Sequence, residues 1–119
     1  MIRVLVVDDQ PAFRRQLCRL LTRAGFGVVG EAGTIAEVEA EVRAKEPDLA
    51  VVDLIMPGVH GVEGVARLKA LCPELRVILV SVHHGHLGLL RAAAVDAGAE
   101  DFVPKDDLDL ELVRLWKSR

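Results

Sequence analysis

The chain has 119 residues and a formal net charge of -3, enough for one domain with its own core and too short for a second. Lys and Arg are scattered among acids with no basic stripe, which argues against direct nucleic-acid binding by this chain. The longest apolar stretch falls far short of the roughly 20 residues a membrane-spanning helix needs, and Met1-Ile2-Arg3-Val4 runs straight into a strand pattern with no cleavable leader. A soluble, cytoplasmic protein is the expectation.

Strand-like apolar runs and helical patterns alternate along the chain. The first run, Ile2 to Val7, ends at Asp8 and Asp9. Helix 1 is expected over about Pro11 to Ala24, with Pro in its first turn, Phe13, Leu17, Leu20, Leu21 and Ala24 on one face, and Gly25 as its stop. Strand 2 follows near Val28 to Ala32. Thr34 with Glu37 matches a capping box that opens helix 2, with Ile35, Val38 and Val42 inward, Glu37, Glu39, Glu41 and Arg43 in water, and Pro47 as its end.

Strand 3, Leu49 to Val52, ends at Asp53, and the loop from Met56 to Gly61 turns the chain into helix 3. That helix uses Val62, Val65, Leu68 and Leu71 and stops before Pro73. Strand 4, Val77 to Val80, ends at Ser81. Helix 4, about Leu87 to Ala97, is apolar nearly all round and closed by Gly98, so it is either deeply covered or offers a face to a partner. Strand 5, Phe102 to Pro104, ends at Lys105. Helix 5 is expected to begin near Asp106 or Asp107, with Asp109 and Glu111 at its positive end and Arg114 and Lys117 at its negative end. Cys18 and Cys72 have no close spacing and are expected to be reduced.

Repeated βα units favour a parallel sheet with right-handed crossovers and helices on both faces. The expectation is an α/β, three-layer, doubly wound (βα)5 fold over residues 1–119, with its five strands in the flavodoxin-like order 2-1-3-4-5. Ligands in such sheets sit beyond the carboxyl ends of the strands. Asp8, Asp9, Asp53, Ser81 and Lys105 all fall there, so they are expected to share one pocket.

Three carboxylates at one rim repel each other unless they take up protons or share a cation. Oxygen-only ligands in a small cluster suit Mg²⁺. One carboxylate can then attack a phosphoryl group, needing no general base because it is already ionised at neutral pH. Charge on the phosphoryl oxygens would be neutralised by the metal, the Lys105 ammonium and the Ser81 hydroxyl. Each residue also has an ordinary explanation on its own: Asp9 as a cap of helix 1, Asp53 as a turn residue, Ser81 as a local cap, Lys105 as a solvated surface residue.

Taken in order, Val-Val-Asp8-Asp9, Asp53-Leu-Ile-Met-Pro-Gly, Ser81 after a fourth strand, Gly98-Ala-Glu-Asp-Phe102 and Lys105 resemble the receiver domain of two-component response regulators over essentially the whole chain. The segment from Asp8 to Arg14 is similar to receivers that precede a LuxR-type helix-turn-helix, which also often lack Pro after the Lys, as here with Asp106. The resemblance implies that Asp53 is the phosphoacceptor, served by a sensor histidine kinase. It further implies that Asp9, Asp53 and the carbonyl of Ile55 ligate Mg²⁺ directly, with Asp8 acting through water. Ser81 and Phe102 match the family's switch pair, in which the hydroxyl is drawn inward and the vacated space lets the ring move from exposed to buried. Phe102 is equally readable as a plain core residue.

The helix 4, strand 5, helix 5 face, with Leu89, Leu90, Ala92 to Ala94 and Trp116, is the expected reader of that change, towards an output domain, another protein or a second copy in a homodimer. The sequence departs from the family at Val82, which follows Ser81 where Ala or Gly is usual, at His60, where an acid is common, and in a longer Ser81 to Gly98 stretch holding His83, His84 and His86. These histidines read as a polar loop beside the site, with metal binding or pH sensing as alternatives. Two other functions compete. One is a flavodoxin-like FMN binder, disfavoured because paired acids repel a phosphate. The other is a pseudo-receiver scaffold that binds partners without phosphorylation.

Overall fold

The computed structural model describes residues 1–56, 59–82 and 87–118. Its order is β1 (Arg3–Val7), α1 (Pro11–Arg23), β2 (Gly27–Ala32), α2 (Ile35–Lys45), β3 (Leu49–Asp53), α3 (Gly61–Leu71), β4 (Arg76–Ser81), α4 (Leu87–Ala97), β5 (Asp101–Pro104) and α5 (Leu110–Leu115). All pairings of the main sheet are parallel, in the order β2-β1-β3-β4-β5. A two-residue hairpin, Ile55–Met56 against Val59–His60, links β3 to α3.

Side chains alternate across each strand and divide the core into two layers. Leu5, Val7, Ala50, Val52, Val77, Leu79 and Phe102 pack beneath α2, α3 and α4. Val4, Val6, Leu49, Val51, Ile78, Val80 and Val103 pack beneath α1 and α5, joined by Leu17, Leu21, Val113 and Trp116. Because β1, β3 and β4 are covered on both faces, they stay apolar until they emerge at the carboxyl edge. Polar residues appear there.

Local punctuation explains most helix ends. Thr34 Oγ1 accepts from Glu37 N at 3.2 Å, and Glu37 Oε2 accepts from Gly33 N at 3.0 Å, so the capping box forms with its return arm one residue early. Gly25 and Gly98 follow α1 and α4 with φ of 95° and 111°, a left-handed conformation in which glycine meets no side-chain penalty. Helix α2 closes on Glu46, a left-handed cap with φ 49°, one residue before Pro47.

Two expectations are corrected. Helix α5 starts at Leu110 rather than near Asp106, because residues 105–107 form a single 3-10 turn and Asp109 Oδ1 caps the helix by accepting from Leu112 N at 2.8 Å. Trp116 is fully buried in the α1/α5 layer and offers nothing to a partner. Two further helix ends gain definition. Gln10, not Asp9, occupies the N-cap of α1. His60 caps α3, its Nδ1 accepting from Val62 N at 3.3 Å, which is the work an acid would do at this position.

Gly61 opens α3 where the chain doubles back on the loop after β3. Its N–H donates to Leu54 O at 2.7 Å, and a Cβ there would stand 2.6 Å from both Leu54 Cα and Leu54 O. Backbone cannot yield as a flexible side chain does. Gly61→Ala is therefore expected to lower stability by about 1–3 kcal/mol, read as a reduced midpoint in urea, with a larger loss of order around Asp53 than around β2.

Candidate functional site

Sheet register assembles the site. Val7 pairs with Val52, so Asp8 and Asp9 leave β1 beside the Asp53 that ends β3. Asp53 pairs with Val80 and Ser81 with Pro104, which brings the ends of β4 and β5, and hence Ser81 and Lys105, to the same edge. The Asp8, Asp9 and Asp53 carboxylates each place an oxygen within 4.8 Å of the others. Asp8, Asp53, Ser81 and Lys105 are buried, whereas Asp9 is exposed.

Lys105 stands between two of the acids. Its Nζ donates to Asp8 Oδ2 at 2.7 Å and lies 3.7 Å from Asp53 Oδ2. Asp8 is fixed from a second side, because its Oδ1 accepts from Gln10 N at 2.8 Å. Asp53 is held more weakly, by Ile55 N at 3.4 Å. Burial pushes the Asp53 carboxyl up to about 6, the nearby Asp8 charge adds to the rise, and Lys105 opposes it.

Other expected residues lie where the topology puts them. Phe102, three residues before Lys105, is fully buried under α3 and α4. Ile55 is 58% exposed in the hairpin, and Val82, just after Ser81, is exposed to the same degree. His83, His84 and His86 lie outside the described residues.

On the α4, β5, α5 face, Arg91, Asp101, Leu112 and Leu115 line a groove of about 410 Å³. Leu89 is 73% exposed and Leu115 52%. Ala92 and Ala93 are also exposed, whereas Ala94 is buried and Leu90 is half-buried. Among the described residues no helix is long and apolar enough to cross a membrane.

Residues 4–115 match the family model for the response regulator receiver domain. The chain belongs to the response regulator receiver family. Over 118 residues it is 38% identical to the DNA-binding transcriptional activator DevR/DosR of Mycobacterium tuberculosis, covering 98% of this chain and 54% of that protein. The signal receiver domain of the response regulator NarL from the same species superposes with a TM-score of 0.85 at 35% identity, covering 98% of this chain and 94% of that one. CheY from Borrelia burgdorferi, solved in a CheX-CheY-BeF3-Mg complex, gives 0.86 at 25% identity, covering 98% and 88%. The chain spans about half the length of the curated transcriptional regulators it matches first. As a receiver, it is a signalling domain of the phosphorylation-dependent two-component type.

Sequence reasoning passed over two residues that this receiver places at the site. Arg14 Nη1 donates to Asp8 O at 2.7 Å while its Nε pairs with Glu31 at 2.9 Å, tying the β1–α1 turn to β2. Phe13, read only as part of an apolar helix face, lies with its ring 4.0 Å from Lys105 Nζ. Their positions four and five residues beyond Asp9 put them one turn into α1, the only available hint that they reach back to the edge.

The raised Asp53 carboxyl has a thermodynamic consequence. The folded protein binds this proton more tightly than the unfolded chain, so the associated stability is complete below about pH 4 and lost as pH rises through about 6. In the presence of a chelator, Asp53→Asn is expected to be more stable than wild type at pH 7.5, by at most about 3 kcal/mol. The gap should close as pH falls from about 6 to 4 in urea melts; a gap independent of pH would contradict the burial of an ionised Asp53.

Proposed function

We propose that residues 1–119 form one receiver module in which Asp53 accepts a phosphoryl group from a phosphohistidine of a sensor histidine kinase. The observation that carries this reading is the gathering of Asp8, Asp9 and Asp53 around an edge that Lys105 enters at 2.7 and 3.7 Å. In the transfer, an Asp53 carboxylate oxygen forms a bond to phosphorus while the phosphorus–nitrogen bond of the donor breaks. The electron pair and a proton stay with the departing imidazole. Asp53 is ionised in most molecules at neutral pH and needs no base.

The donor set fits Mg²⁺: all oxygen, clustered, and including a buried carboxyl whose proton affinity is raised by burial first and by the neighbouring Asp8 charge second. Asp9, Asp53 and the Ile55 carbonyl would hold the ion, with Asp8 at one remove. When bound, the ion supplies positive charge to the phosphoryl oxygens. Asp8 keeps the Lys105 ammonium at the edge, and Lys105 offers it to a phosphoryl oxygen as a compact point charge. The Ser81 hydroxyl, buried at the end of β4, offers a hydrogen bond.

Ser81 and Phe102 form the switch pair of this reading, with the ring here in the inward arrangement. Exposed Leu115 lines the groove of the α4, β5, α5 face, and exposed Leu89 adds apolar surface on α4; this face meets an output domain, a partner protein or a second copy. The chain acts in the cytoplasm, touches neither nucleic acid nor membrane itself, and catalyses only its own phosphoryl transfer and loss.

Incubation with acetyl phosphate and Mg²⁺ should add one phosphoryl group to the intact mass. Chelation of the metal or Asp53→Asn should abolish the adduct, and Lys105→Met should slow its formation by about 10²-fold. An adduct that survives Asp53→Asn would move the phosphoacceptor elsewhere. The absence of any adduct would leave a scaffold that binds without phosphorylation.

A further inference from the structure

Three groups among the described residues stand close to the Lys105 ammonium. Two are the carboxylates of Asp8 and Asp53, at 2.7 and 3.7 Å. The third is the face of the Phe13 ring, whose centroid lies 4.0 Å from Nζ. Phe13 projects from the first turn of α1, the helix that begins where the acidic edge ends, and is half-buried.

The same two side chains line a cleft of about 290 Å³, together with Leu17, Leu20 and Leu108 and the exposed Arg19 and Arg23. Two guanidiniums disfavour a third cation inside it, so the alternative open to the Lys105 head is the water at its mouth. A long alkyl stem readily lays itself along an apolar wall while its head reaches water, and an ammonium is strongly hydrated. An ammonium that turns out into that water is lost to the edge. An aromatic face attracts a cation through its quadrupole, and more strongly where water is excluded; an aliphatic side chain fills similar space without that pull.

We propose that Phe13 is a positioning residue for phosphoryl transfer: its ring holds the Lys105 ammonium between Asp8 and Asp53, ready for a phosphoryl oxygen. The inference rests on the reading of Asp53 as phosphoacceptor. Phe13 touches neither donor nor phosphoryl group. It acts through Lys105, so its effect separates aromatic from aliphatic substitutions rather than large from small.

The test compares Phe13→Leu and Phe13→Tyr with wild type in acetyl phosphate and Mg²⁺, following the initial rate of adduct formation by intact mass. The leucine variant is expected to be about threefold to tenfold slower and the tyrosine variant to stay within about twofold of wild type. Proton NMR of the Lys105 Cε methylene gives an independent readout. The upfield ring-current displacement expected in wild type and Phe13→Tyr should vanish in Phe13→Leu. Phe13→Met, ringless and more adaptable, carries the comparison if the leucine variant does not fold.

Equal rates for leucine, tyrosine and wild type, or an equal slowing of both variants, would overturn the inference while leaving Asp53 in its role. A wild-type chain that takes up no phosphoryl group would overturn the reading of Asp53 and this inference together.

Discussion

One ammonium faces three carboxylates, and the rest of the site is arranged around that imbalance. Asp8 is fully buried, and a buried carboxylate without a partner costs several kcal/mol. Its 2.7 Å contact with Lys105 and its bond from Gln10 N remove that cost. Little of the cation is left for Asp53, a further 1.0 Å away by the two contact distances. Burial, with the Asp8 charge adding to it, pushes that carboxyl up to about 6, and Lys105 only partly opposes the rise. An edge in this condition responds strongly to any added charge, positive or negative, because the local medium screens it poorly.

That imbalance is sustained by the sheet. Parallel strands deliver their carboxyl ends to one side, and helices on both faces keep β1, β3 and β4 apolar to their last residues. The acids consequently emerge from a dry core. The turns reinforce this closeness: Arg14 binds the carbonyl of Asp8, and Gly61 packs its backbone against Leu54 with no room for a methyl group. Neither contact touches the chemistry, yet each fixes the direction in which a carboxylate leaves its strand.

Most of the fold was legible in the sequence because its signals are local. Thr34 and Glu37 mark a helix start through bonds spanning three or four residues, and Gly25 and Gly98 mark helix ends through their own φ angles. The site was legible for a related reason, since strand period and topology together decide which residues share an edge. Three features were not legible. The start of α5 was expected near Asp106 or Asp107, whereas Asp109 caps it, and an Asp at any of these positions is a good capping residue. Trp116 looked like a surface residue on a short helix, but the layer under α1 and α5 has space that only tertiary packing reveals. The Phe13–Lys105 contact joins residues 92 positions apart, and Phe13 also satisfied an apolar helix pattern that seemed to account for it.

The two sides of the sheet are not held alike, and this gives a direction to any response at the edge. On one side, Trp116, Val113, Leu17 and Leu21 lock α5 and α1 to the core. On the other, Ala94 is the fully buried side chain described for α4, with Leu90 half-buried and Leu89 and Val95 exposed. An element with so little buried apolar surface shifts at lower cost than one anchored by a tryptophan. Phe102 lies on β5 and faces the α4 side, and Lys105 opens the 3-10 turn that follows that strand, three residues on. A rearrangement of charge at Lys105 therefore reaches the loosely held helix through three residues of backbone. The groove beside β5 lies between that helix and the firmly packed α5.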